Sequence, residues 1–100
     1  MIDERQKEFL LSTCKNLSYS VLRMTRRGEA WKRPNNEGAI FYHIRMACTS
    51  VMLAWATAEG DPCMIPEGEI FEITGQAYDE AKVKLIKEGV FDKDGLPISA

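Results

Sequence analysis

"AIFYHIRMACTSVMLAWATA", residues 39–58, is apolar at nearly every position. A helix of that composition must be covered on most of its circumference. Asn36 stands where it can cap the start, and Gly60 where it can stop the helix before "DPC". Only thirteen uncharged residues separate Arg45 from Glu59, short of the roughly 18 that a bilayer span takes, so no membrane is expected. Two further helices of a small domain cover two stripes, and the remaining surface is expected to meet another chain, the alternative being simple central burial of the helix. Phe41, Ile44, Met52, Leu53 and Trp55 are the candidate partner or oligomer interface. Met46 and Met52 add the polarizable side chains that adapt to a partner.

Upstream, Asp3 followed by Gln6 forms a capping-box pattern, with Glu4 in the first turn. Leu10, Cys14, Leu17, Val21 and Met24 recur at alternating steps of four and three, one apolar stripe close to a coiled-coil seam. The spacing predicts a helix over 4–27, ended by Arg23, Arg26 and Arg27 and by a left-handed Gly28. The next stretch, "RMTRRGEAWKRPNNEG" (23–38), has two readings. It is a helix end and a loop, or else Arg23, Arg26, Arg27, Trp31, Lys32 and Arg33 contact an anion or a nucleic acid, with Trp31 as a stacking surface.

Downstream, residues 60–69 hold two prolines and two glycines and read as a loop. "IFEI" (70–73) is either a strand or a first helical turn. Thr74 then caps a third helix that ends at Gly89, with Tyr78, Ala81 and Leu85 facing inward. Apolar pairs on each side of Asp94-Gly95 predict a tight hairpin.

The 100 residues make one domain, 1–100, with ordinary composition for a soluble globular protein. Net charge is −2, divided unevenly: +4 in residues 1–50 and −6 in residues 51–100. Such halves either complement one another within the fold or offer a basic face to an acidic partner. Cys14, Cys48 and Cys63 are odd in number and widely spaced, without metal-ligand or dithiol spacing. With no export-type N-terminus, they point to a reducing, cytoplasmic setting. Cys14 and Cys48 are expected to be buried and Cys63 accessible.

Little chemistry is indicated. His43 is the single histidine and is expected to be structural and hydrogen-bonded. Positions 43 and 48 lie about 140° apart on a helix, so His43 does not pair with Cys48 as base and nucleophile. There is no phosphate-binding glycine loop, and no cofactor or metal is expected.

The segment "FEITGQAYDEAKVKLIKEGVFDKDGLPI" resembles the recognition helix and wing of winged-helix DNA-binding domains, over residues 70–98. The resemblance covers under a third of the chain, and it implies a nucleic-acid partner. Two features depart from it: no helix precedes the turn at Gly75, and Asp79, Glu80 and Glu88 would face phosphates.

The sequence therefore predicts a mainly α, three-helix domain: two long antiparallel helices, a shorter third and a short C-terminal β-hairpin. The function expected is that of a small non-enzymatic adaptor or inhibitor-type protein, binding another protein through a helical, oligomeric surface. The alternatives are a nucleic-acid module at 23–33 and a small-anion pocket at the same loop.

Overall fold

The computed structural model describes residues 2–28, 31, 33, 36–61 and 64–98. It is a bundle of three helices, α1 (Glu4–Thr25), α2 (Asn36–Ala58) and α3 (Glu67–Lys87), 44 × 23 × 19 Å in extent. The third helix is as long as the others, 21 residues against 22 and 23.

The partners give the directions. Lys7 pairs with Glu72 at 3.1 Å and Lys15 with Glu80 at 3.7 Å, and the Tyr19 hydroxyl donates to Glu88, so α1 and α3 run parallel. Glu37 pairs with Lys82, Phe41 meets Tyr78 and Arg45 meets Phe71, so α2 runs antiparallel to α3. The most extensive contact is between α1 and α3. Lys7–Glu72 and Lys15–Glu80 join the basic first half to the acidic second half, so part of the charge asymmetry is complementarity within the fold, while Glu37–Lys82 has the signs reversed.

The capping box forms as expected: the Gln6 amide donates to Asp3 at 2.8 Å, and the Asp3 amide to the Gln6 side chain at 3.0 Å. The other end of α1 differs. The helix stops at Thr25 with Arg26 as its cap, and Gly28 does not take a left-handed conformation. The buried row is Leu10, Cys14, Ser18 and Leu22, while Leu17 and Val21 are half-buried and Met24 is 75% exposed. A uniform step of four drifts about 40° around the axis each time, the ridge of helices packed ridges-into-grooves rather than a heptad seam. α2 buries a matching row, Ile44, Cys48, Met52 and Ala56. The small residues lie where the rows meet: Cys48 Sγ is 3.8 Å from Ser18 Oγ and 3.8 Å from the Cys14 carbonyl.

α3 begins at Glu67, directly after Pro66, so "IFEI" is helical and Thr74 is no cap. The buried Thr74 hydroxyl donates backwards to the carbonyls of Ile70 at 2.9 Å and Phe71 at 3.1 Å, which satisfies it inside a helix. Gly75 therefore sits mid-helix, with no helix-turn-helix turn around it. Gly60 (φ 101°) and Gly89 (φ 77°) follow the ends of α2 and α3, as glycines in the left-handed region do.

The expected C-terminal hairpin does not form. Among the described residues there is no strand, only one isolated bridge between Phe91 and Pro97. Two backbone bonds flank that bridge, from the Asp92 amide to the Leu96 carbonyl at 2.8 Å and from the Ile98 amide to the Val90 carbonyl at 3.0 Å, and the described residues carry the pairing no further. The Asp92 carboxylate takes the amides of Asp94 at 2.9 Å and Leu96 at 3.1 Å, closing a local turn instead. The resulting loop places Phe91, 1% exposed, in the core, and packs Gly95 against Lys82. A Cβ at Gly95 would lie 2.7 Å from Lys82 Nζ. The wing implied by the winged-helix resemblance is thus absent.

Candidate interaction face on the second helix

α2 has an inner ridge and an outer face. Two of the five candidate interface residues, Ile44 and Met52, belong to the inner ridge and lie in the chain's own core. Phe41 and Trp55 are half-buried against that core, Phe41 with its ring 4.6 Å from Tyr78. Leu53 alone of the five reaches the outer face, 38% exposed. Its companions there are Met46 (50% exposed), which the sequence marked for its polarizable side chain, and Tyr42 (56%), which it did not single out, with Ala39, His43, Ser50 and Thr57 also exposed. Met46 and Met52 look equivalent in composition, but six residues turn a helix through about 240°, which sends them to different faces.

Beside this face runs a groove of about 370 Å³ between α2 and α3. Tyr42, Met46 and Ser50 form one wall, and Ile70 and Phe71 the other. Arg45 lies across the groove with its guanidinium 3.7 Å from the centroid of the Phe71 ring, close enough for a cation–π contact. Its charge is therefore held to the side of the outer face. Only 22% of the most apolar window of α2 is buried, at a mean hydropathy of 1.2. By length and composition α2 is long and apolar enough to cross a membrane, because a window of 18 residues tolerates the single charge of Arg45. Counting only from Arg45 onward missed this.

The basic stretch is partly engaged within the chain. Arg23 donates to the Tyr19 hydroxyl at 2.8 Å, and Arg26 donates to the Arg23 carbonyl at 2.7 Å, closing the end of α1. Arg27 and Arg33 are exposed, and Lys32 lies outside the described residues. Trp31 is half-buried, packed against the core with its ring edge-on to Phe91 at 5.5 Å. A cavity of about 270 Å³ beside it is lined by Met24, Thr25, Gly28, Trp31 and Ile40. Among the described residues that lining carries no basic side chain to hold an anion.

The two buried thiols, Cys14 and Cys48, face each other and are unoxidised. A hydrogen bond to Cys48, followed by burial, pushes the Cys14 thiol well up, away from a reactive thiolate. Cys63 lies outside the described residues. His43 is exposed, not structural as expected, with its ring 5.7 Å from that of Tyr42 and on a different face from Cys48. Among the described residues no three His, Cys, Asp or Glu side chains gather as metal ligands would.

Comparison with protein-family models, with curated proteins and with solved structures finds no match.

Proposed function

We propose that the chain is a small adaptor or inhibitor-type protein that acts by binding another protein, not by catalysis, and that the outer face of α2 is its binding surface. The observation that carries this reading is the exposure of Tyr42, Met46 and Leu53 along one side of the most apolar helix in the chain. Large apolar side chains grouped beside a groove are what a partner desolvates, whereas scattered ones need no explanation. The nucleic-acid reading has less to stand on, because Trp31 turns toward the core and not toward a base.

Capture from the native host tests this with two matched baits, the full chain and its Met46→Glu variant. Met46 is half-exposed, so the variant should keep its helical circular dichroism. The reading expects a protein retained by the wild-type chain and lost with the variant. Identical retention by both baits would contradict it.

A further inference from the structure

We infer that the outer face of α2 takes a second copy of this chain, docked antiparallel about a two-fold axis that passes near position 48. This rests on the protein-binding reading above and names its partner.

Spacing is the first ground. Ala39, His43, Met46, Ser50, Leu53 and Thr57 are all exposed, and they follow one another at steps of four, three, four, three and four. That is the spacing of an a/d stripe that can meet another helix, with Ala39, Met46 and Leu53 as its apolar members and His43, Ser50 and Thr57 as its polar ones. The inner ridge of α2, at uniform steps of four, lacks it. One helix thus carries two periods on two faces: one used within the fold, the other left unpartnered.

The second ground is self-complementarity. A two-fold interface sets the same patch against itself, so residue i of one copy meets residue j of the other, and j meets i. Turned about position 48, Met46 lies opposite Ser50 on both sides of the axis, a long side chain against a short one. His43 lies opposite Leu53, and the two small residues Ala39 and Thr57 meet at the ends. None of the six is an Asp, Glu, Lys or Arg, so docking leaves no such charge buried without a partner.

Charge at the ends sets the direction. The exposed Arg27 and Arg33 precede α2, and the exposed Glu59 and Asp61 follow it. Gly28 and Trp31, beside these arginines in the chain, line one cavity with Ile40 of the first turns of α2. Antiparallel docking puts the basic end of each copy over the acidic end of the other, twice over. It also opposes the two helix dipoles, whereas parallel docking sets like against like.

Size sets the strength. The 23 residues of α2 span about 34 Å, and a strip about 10 Å wide covers roughly 350 Å² on each copy. A standard stable interface buries about 800 Å² on each partner, so a dimer held by this strip is less than half that size and is weak and transient.

Sedimentation velocity on the full chain, in a series up to about 100 µM, tests this. The expected result is a reversible species of twice 11.3 kDa that weakens with salt. Leu53→Glu, at a position already exposed, should keep the circular dichroism and weaken association at least tenfold. Arg33→Glu should weaken it roughly three- to tenfold, and adding Glu59→Lys should restore it, since the swapped ends then complement each other again. A chain that stays monomeric throughout would overturn the inference, as would a dimer indifferent to Leu53→Glu or a double variant that restores nothing. A monomeric chain that still retains a host protein through Met46 would overturn the second copy and leave the binding reading standing. Co-sedimentation of the wild type, but not of Leu53→Glu, with phosphatidylcholine vesicles would overturn both in favour of a lipid surface.

Discussion

Tyr78 shows how much a single side chain settles in so small a core. It is 7% exposed, and its hydroxyl donates to the Glu37 carboxylate at 3.2 Å, which Lys82 also engages. Burial first, and then the negative Glu37, push the Tyr78 hydroxyl above its ordinary value of 10.0. The unfolded chain releases that proton near pH 10 while the folded chain keeps it. The folded state then binds more protons, so stability falls as pH rises through and beyond 10. Tyr78→Phe removes this contribution, at a cost of about 1 kcal/mol near neutrality for the lost hydrogen bond. Urea unfolding at pH 8 and pH 11 should show the wild type losing more stability between the two than Tyr78→Phe does. Equal losses would mean that Tyr78 is not buried as described. From the sequence, Tyr78 was legible as inward-facing because it shares a stripe with Ala81 and Leu85. Its tie to Glu37 was not, because a pair 41 residues apart leaves no local signal.

Among the elements, α1 and α2 were legible because caps and apolar runs are local features. The start of α3 was not. Two glycines and two prolines in residues 60–69 read as a loop, yet Pro66 is tolerated just before a helix, and Glu67 and Glu69 suit its first turn. Thr74 misled in the same way, since its hydroxyl serves equally as a cap or as a back-bonded helix interior. Gly75 separates the two readings. It sits mid-helix, and a Cβ there meets nothing within 4 Å. Gly75→Ala should stabilise the protein by about 1 kcal/mol through helix propensity. That corresponds to a melting temperature higher by roughly 4–8 °C for a domain of this size. A fall in melting temperature would place Gly75 outside a regular helix. The hairpin expectation failed because "DG" marks a turn but not the pairing beyond it, and the Asp92 carboxylate closes a local turn there. The outer face of α2, with Tyr42, Met46 and Leu53 exposed, was not legible because the uniform apolarity of 39–58 hid which side was outermost.

In the whole molecule, part of the unequal charge of the two halves is met between α1 and α3 through Lys7–Glu72 and Lys15–Glu80, while Glu37–Lys82 ties α2 to α3 with the signs reversed. The apolar surface of α2 is divided instead, between a ridge that builds the core and a face left open. The two methionines on opposite sides of that division test it most directly. Met52 is 0% exposed and Met46 is 50% exposed. Met52→Glu buries an unpaired charge and should cost several kcal/mol, enough to unfold a domain this small or nearly so. Met46→Glu should change the stability of the dilute monomer by about 0.5 kcal/mol or less. Urea midpoints measured for both variants at low micromolar concentration decide the matter. The division of α2 predicts a large drop for Met52→Glu and a midpoint near wild type for Met46→Glu. Equal drops would contradict it, because both faces of α2 would then be core.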